Sequence, residues 1–308
     1  MFRFVVLAPL LLVASGCAAF SEDSGTGPGT DVVAAFYPLE YVAERVAGGE
    51  ADVESLAAPG VEPHDLELTI KETALIADAA LVVYEKGFQP AVDEAVDLNA
   101  TGATLDVSGP ADLVPFESRH EHEDADEEHH GHAHGDGDDP HFWLDPLRLA
   151  DVADAVADEL ADLDPEHADD YVAHADDLRA DLERLDGAFT DGLADCERDT
   201  IVVSHDAFGY LDKYGVHVAA IAGLSPESEP TPADIAELQE LIEHDGITTV
   251  FSERLAPPAL TETLADDAGV TTAVLDPIEG LTDDTSDEDY LSLMEQNLAA
   301  LREANGCR

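Results

Sequence analysis

The sequence feature that most constrains the fold is a long helical pattern from about Glu166 to Leu193. Its apolar positions recur at the spacing of one buried helix face: Tyr171, Ala175, Leu178, Leu182, Leu185 and Phe189. A helix of this length would form a rod of roughly 40 Å, because each residue adds about 1.5 Å. Such a rod is long for a lobe of ordinary size, and it suits a rigid link between two lobes.

Short apolar runs alternate with helical patterns on both sides of this helix. The predicted strands lie at 32–36, 53–56 and 81–84 before the helix, and at 201–203, 216–221, 248–251 and 271–275 after it. This alternation predicts an α/β fold class, with two parallel-sheet βα lobes joined by the long rigid helix. The expected division is an N-terminal lobe (31–164), a linking helix (165–194) and a C-terminal lobe (195–308).

The N-terminus has the pattern of an export signal. Arg3 precedes an apolar run, Phe4–Val13, and small residues then lead to Cys17. The run is too short for a permanent membrane span. Residues 1–17 resemble a lipoprotein signal, which would anchor the protein by a lipid on Cys17 to the outer face of the cytoplasmic membrane. An ordinary cleaved signal or an uncleaved anchor is the alternative, and residues 18–30 are predicted to be a flexible tether.

Two further cysteines, Cys196 and Cys307, remain after Cys17 is set aside. An even pair in an exported protein predicts a disulfide, here between the start of the second half and the end of the chain. The alternative is two unpaired buried thiols.

The charge balance is extreme, with 70 acidic residues against 13 basic ones and a formal net charge of −57. Nucleic acid is excluded as a partner, because phosphate binding depends on Lys and Arg, and cations are favoured instead. Much of the acid is spread over helix faces and Lys is nearly absent, as in proteins of salt-loving organisms. The simplest interpretation of the charge is therefore solvation in concentrated salt, where screening shortens electrostatic interactions to about 3 Å at ~1 M.

Residues 117–139 form a tract of acid and histidine with almost no apolar side chains. The histidines lie at His120, His122, His129, His130, His132 and His134. A segment of this composition is not expected to pack. It is interpreted as an accessory collector of metal, and the alternative is a plain solvated loop.

Four residues are candidates for a tighter metal site: His64, His141, His205 and Asp276. Each is predicted at the carboxyl end of a strand or in a nearby loop, where open α/β sheets bind ligands. Two come from each half, so a metal would lie in a cleft between the lobes. Three imidazoles and a carboxylate suit Zn²⁺. For any single histidine, the alternative is a loop or core residue bonded to the backbone.

Four motifs, in this order, resemble those of the zinc/manganese solute-binding proteins of ABC importers. They are GVEPHD at 60–65, HFWLDP at 141–146, SHDAFGY at 204–210 and GLSPESEP at 223–230. The resemblance implies a monomeric receptor that delivers metal to an ABC permease and its ATPase. It assigns His64, His141, His205 and Asp276 as ligands. Histidine at the third position favours zinc over manganese. From its own position, Glu253 is a candidate to support a metal ligand from behind, and the alternative is a structural ion pair with Arg254.

Three other functions remain open at this point. One is a Mn²⁺ receptor of the same family. Another is a metal-dependent hydrolase, which would need an open coordination position and a general base. The third is a surface adhesin on the same fold, because a fold does not determine a function. The favoured expectation is a receptor that is not an enzyme.

Overall fold

A computed structural model of the chain describes residues 30–116 and 137–308. The predicted signal with Cys17, most of the tether and the histidine tract from 120 to 134 lie outside the described residues. Within the described ranges, we find no helix whose length and hydropathy would let it cross a bilayer.

The first half builds a four-stranded parallel sheet in the order β2-β1-β3-β4. Its elements are β1 (Thr30–Ala34), α1 (Tyr37–Ala47), β2 (Ala51–Ser55), α2 (Ile70–Asp78), β3 (Leu81–Tyr84), α3 (Pro90–Asn99) and β4 (Ala103–Asp106). Helix α2 begins with a capping box formed by Thr69 and Glu72. Helix α3 and strand β4 were not predicted from the sequence. Their partly exposed positions weaken the apolar periodicity on which such a prediction depends.

The second half repeats this arrangement, with the sheet order β6-β5-β7-β8 and every pairing parallel. Its elements are β5 (Thr200–Val203), β6 (His217–Ala220), α6 (Pro232–Asp245), β7 (Thr249–Ser252), α7 (Ala259–Ala268), β8 (Thr271–Val274) and α8 (Tyr290–Asn305). A 3-10 helix, Phe208–Tyr214, follows β5. The predicted α/β fold class with two parallel sheets is confirmed.

Two long helices connect the sheets: α4 (Pro146–Leu163) and α5 (Ala168–Leu193). The side chain of Asp145 caps α4 by accepting a hydrogen bond from the Leu147 amide. The apolar face predicted for α5 is buried. This helix packs against α1, α4 and α8, and one hydrophobic cluster extends through both halves.

Several polar contacts join the two halves directly. The Trp143 indole donates to the Pro277 carbonyl (2.7 Å), and the Tyr290 hydroxyl donates to the Trp143 carbonyl. Lys213 pairs with Asp145 (2.6 Å) on the other half. The predicted disulfide between Cys196 and Cys307 is present and ties the end of α5 to the end of α8. The lobes are therefore held together at several points besides the linking helix.

Candidate metal centre

Four side chains converge between the two sheets: His64, His141, His205 and Glu279. One potential ligand atom from each lies within 4.8 Å of the others. The Nε2 atoms of the three histidines lie 3.2, 3.4 and 3.4 Å from Oε1 of Glu279, in chain order. The structure thus brings the three predicted histidines together.

The four residues come from both halves of the chain. His64 lies in the loop between β2 and α2, and His141 precedes the short 3-10 helix Phe142–Leu144 that leads into α4. His205 follows β5, and Glu279 follows β8. The cluster therefore lies beyond the carboxyl ends of parallel strands, where this class of sheet binds ligands.

Asp276, the predicted fourth ligand, does not join this cluster, and Glu279 takes that place. One oxygen of Asp276 accepts from Arg254 Nε (2.8 Å), and the other accepts from the Ile278 amide (2.8 Å). Asn297 holds the backbone of the same residue through two further hydrogen bonds. The Asp276 carboxylate thus stabilises the turn that carries Glu279.

Glu279 was not among the predicted ligands, because Asp276 and Glu279 both follow β8 in one short loop. Between them, Ile278 adopts a left-handed backbone conformation with φ of 59°. A β-branched residue rarely adopts this conformation, and it redirects the chain. Only the course of this turn shows which acid faces the histidines.

Two buried carboxylates orient two of the histidines. Nδ1 of His141 donates to Asp139 (2.8 Å), and Nδ1 of His205 donates to Glu253 (2.6 Å). Each bond turns the Nε2 atom of its ring toward the cluster. Glu253 therefore supports His205 from the side of the ring that faces away from the cluster. Asp139 was placed in the unpacked tract by its composition, whereas the structure buries it beside His141.

The cluster shifts the pKa values of its members. Burial lowers the pKa of His205, but hydrogen bonds to Glu253 and Glu279 outweigh burial and raise it to about 10. Burial also lowers the pKa of His141, but hydrogen bonds to Asp139 and Glu279 outweigh burial and raise it. For Glu279, burial raises the pKa, but the three histidines hold it well below its usual range. In the metal-free cluster, His141 and His205 therefore favour their protonated forms, and Glu279 favours its ionised form.

The donor set fits a cation. Glu279 Oε2 is buried and makes no hydrogen bond within the part of the chain that the structure describes. Buried polar atoms normally have partners, and a metal ion would supply one here. Three imidazole nitrogens and one carboxylate oxygen match the ligand types and count of tetrahedral zinc.

The cluster is buried, and His64 is its most accessible member. The side chain of His64 is 10% exposed, whereas His141, His205 and Glu279 are exposed by 1% or less. Aromatic rings form one wall, with Phe88 centred 4.7 Å from His64 and Trp143 centred 5.3 Å from His141. These rings keep water away from the cluster and strengthen its electrostatic interactions.

A buried cluster of three histidines and a glutamate, held between two parallel α/β lobes, defines a two-lobed metal-binding protein. Residues 32–304 match the family model described as zinc-uptake complex component A, periplasmic. The chain belongs to this family, and the resemblance inferred from the four sequence motifs is confirmed.

Two curated relatives and one solved structure illustrate the similarity. The zinc-binding lipoprotein AdcA of Streptococcus pneumoniae serotype 4 is 36% identical over 304 residues, which covers 95% of this chain but 60% of AdcA. The high-affinity zinc uptake system protein ZnuA of Bacillus subtilis is 33% identical over 311 residues, covering 98% of this chain and 96% of ZnuA. The laminin-binding protein Lmb of Streptococcus agalactiae, described as having adhesin and metal transporting activity, superposes with a TM-score of 0.78 at 27% identity. That superposition covers 90% of this chain and 99% of Lmb.

Proposed function

We propose that this protein captures Zn²⁺ outside the cytoplasmic membrane and delivers it to an ABC permease and its ATPase. The observation that carries the proposal is the buried cluster of His64, His141, His205 and Glu279. The names of the AdcA and ZnuA relatives, both zinc proteins, support the same cargo.

The four clustered residues are the proposed zinc ligands. Manganese prefers oxygen donors, and a site with three imidazoles and one carboxylate disfavours it relative to zinc. The two oriented histidines and Glu279 form a site that is arranged before metal arrives. Zn²⁺ would replace protons on His141 and His205 and neutralise the buried carboxylate.

The protein is proposed to act as a receptor and not as an enzyme. A catalytic zinc keeps one coordination position open for water or substrate. Four protein ligands would fill the positions of a tetrahedral ion, and aromatic rings line one wall. The site is suited to hold an ion and to exclude reactants.

The sequence supports a proposed location and division of the chain. Residues 1–17 would direct export and lipid anchoring at Cys17, residues 18–30 would form the tether, and AdcA is named as a lipoprotein. The proposed lobes are 31–164 and 195–308, joined by 165–194. Because the lobes are also cross-linked by Trp143 and Lys213, release is expected to depend on loop rearrangement rather than wide opening.

To test this proposal, the zinc affinity of the purified protein and of four alanine variants is measured by competition with a fluorescent chelator. The parent is expected to bind one Zn²⁺ tightly. His64→Ala, His205→Ala and Glu279→Ala should each weaken binding by roughly 100-fold or more, since each removes a ligand. Asp276→Ala is the matched comparison, and its effect should be smaller than that of Glu279→Ala. Unchanged tight binding in both His64→Ala and His205→Ala would reject the proposal.

Adhesion is a second candidate function, favoured by the structural similarity to Lmb, which is described as bifunctional. The measurement is binding of the protein to immobilised laminin, with and without zinc. Binding no greater than that of an unrelated acidic protein would remove this candidate and leave the receptor proposal unaffected.

A further inference from the structure

The structure describes the chain up to Phe116 and again from Gly137, and the two segments at these positions pair with each other. We call residues 114–116 and 137–139 the stem. Pro115 and Asp138 form an antiparallel bridge. Phe116 donates to the Gly137 carbonyl (3.1 Å), and Asp139 donates to the Val114 carbonyl (2.9 Å). The stem belongs to the first half of the chain.

One hydroxyl group from the second half joins both strands of the stem. Tyr210, on the 3-10 helix Phe208–Tyr214, accepts a hydrogen bond from the Val114 amide (3.2 Å). The same hydroxyl donates to the Asp139 carbonyl (2.8 Å). The Tyr210 side chain is buried, and the Arg148 guanidinium stacks over its ring at 5.2 Å. This hydroxyl therefore fixes the position of Asp139 relative to the second lobe.

Asp139 connects this contact to the metal cluster. Its Oδ1 accepts hydrogen bonds from the backbone amide of His141 (3.1 Å) and from Nδ1 of the same residue (2.8 Å). Asp139 and His141 are both fully buried, so water cannot replace these bonds easily. A displacement of Asp139 would therefore rotate or release the His141 ring.

We infer that Tyr210 is a positioning residue for His141 and acts through Asp139. It holds the Asp139 carboxylate where this group accepts a hydrogen bond from Nδ1 of His141, which leaves Nε2 directed at the metal. The inference rests on the proposed zinc site. Removing outer partners of metal-bound histidines typically weakens metal affinity by about 10- to 100-fold. Tyr210 is one hydrogen bond further from the metal than Asp139 is. Removing its hydroxyl should therefore weaken zinc binding less, by roughly 3- to 10-fold.

The first experiment compares two tyrosines of the same short helix in the full chain. Tyr210→Phe removes the hydroxyl that binds the stem, and Tyr214→Phe removes the hydroxyl that donates to Asp186 (2.7 Å) on α5. Zinc affinity is measured by chelator competition and thermal stability by unfolding without metal. We expect Tyr210→Phe to weaken zinc binding and Tyr214→Phe to leave it within about twofold of the parent. Equal affinities in both variants would overturn the inference.

A double-mutant cycle separates positioning from general loosening of the fold. Asp139→Asn replaces the carboxylate that accepts the hydrogen bond from Nδ1 of His141 with an uncharged amide. If Tyr210 acts through Asp139, adding Tyr210→Phe to Asp139→Asn should produce little further loss of zinc affinity. Additive losses in the double variant would show that Tyr210 acts by another route.

A spectroscopic measurement on the zinc-free parent does not depend on the folding of any variant. Nitrogen-15 NMR of the imidazole of His141 should show a proton on Nδ1. An Nδ1 atom without a proton would contradict the inference even if zinc binds tightly. Weak zinc binding by the parent would instead reject the proposed function, so the two failures are distinguishable.

Discussion

Oε1 of Glu253 lies 2.6 Å from Nδ1 of His205, and the same oxygen accepts a hydrogen bond from the Ser204 hydroxyl. Glu253 follows β7 and His205 follows β5, so adjacent strands of the second sheet deliver the pair. The carboxylate is buried and has a defined orientation. It can therefore fix the direction in which His205 presents Nε2.

Replacing this carboxylate should weaken zinc binding without unfolding the protein. Glu253→Gln keeps the size of the side chain but can place an amide donor against Nδ1 of His205. We expect zinc affinity to fall by about 10- to 100-fold, as is usual for outer partners of metal-bound histidines. Chelator competition measures the change. Glu262→Gln, at an exposed position of α7, is the control and should behave as the parent does.

Zinc binding should release protons and become tighter as pH rises. The pKa of His205 is raised to about 10 in the metal-free protein, so this imidazole is protonated at pH 7 and must lose its proton to bind zinc. We expect about one proton or more to be released per Zn²⁺ at pH 7. Calorimetry in buffers with different ionisation enthalpies counts these protons. A proton count of zero, together with an affinity that does not change between pH 6 and 8, would contradict this expectation.

The same pKa shifts give the metal-free protein its own pH dependence. A group whose pKa is raised in the folded state stabilises the fold at pH values below its unfolded pKa, which is about 6.5 for histidine. For His205 this contribution is lost as pH rises through about 10. A group whose pKa is lowered in the folded state, such as Glu279, stabilises the fold at pH values above its unfolded pKa of about 4.3. This contribution is lost as pH falls through the folded pKa. The cluster should therefore stabilise the metal-free protein most at mildly acidic pH. Thermal unfolding of His205→Ala against the parent checks this.

Removing the disulfide should lower stability and leave zinc affinity unchanged. Cys196 and Cys307 are separated by 111 residues, and a cross-link over such a span typically contributes about 2–5 kcal/mol. The double variant Cys196→Ala/Cys307→Ala should show this loss in urea unfolding. The bond lies at the far end of α8 from Tyr290, which contacts Trp143 beside the cluster. A large loss of zinc affinity would show that the two ends of the molecule are coupled.

Gly48 and Gly246 provide a matched test of one close approach. Both end a helix with positive φ, 61° and 64°. At Gly246 an added Cβ would meet nothing within 4 Å, whereas at Gly48 it would lie 2.1 Å from the His174 ring. Gly246→Ala should lower the free energy of unfolding by about 1 kcal/mol, from backbone strain alone. Gly48→Ala should lower it by about 1 kcal/mol more, because His174 must release its hydrogen bond to the Val46 carbonyl.

The effect at Gly48 should be relieved by removing the clashing side chain. In a His174→Ala background, Gly48→Ala is expected to have the same effect as Gly246→Ala. If the extra loss persists in that background, the contact with His174 is not its cause.

Two deletions of different length should separate the tract from the tight site. Replacing residues 117–136 by a short Gly-Ser linker leaves the stem intact and should preserve tight zinc binding. Extending the deletion through Asp139 removes the partner of His141 and should weaken tight binding by about 10-fold or more. Elemental analysis of protein purified without added metal would also show whether the shorter deletion lowers the total zinc content. Equal tight-site affinity in both deletions would contradict the role assigned to Asp139.

Local sequence patterns were sufficient to predict much of the fold and three members of the cluster. The alternation of strands and helices and the apolar face of α5 depend on neighbouring residues along one chain segment, so they can be recognised without the fold. His64, His141 and His205 were recognised because each lies in a distinctive motif. Asp139 was misjudged because composition alone does not show that a residue beside a polar tract is buried.

The sequence by itself determined the alternation of strands and helices, the long linking helix, the pair of cysteines and the histidines available for a metal. These features depend on periodicity and residue chemistry over short distances. Only the tertiary structure decided that Glu279 and not Asp276 faces the histidines, since a left-handed residue at Ile278 sets the direction of the loop. It also decided that Asp139, Glu253 and Tyr210 stand around the cluster. Contacts between segments far apart in the chain arise from the packing of two lobes, which local periodicity does not encode.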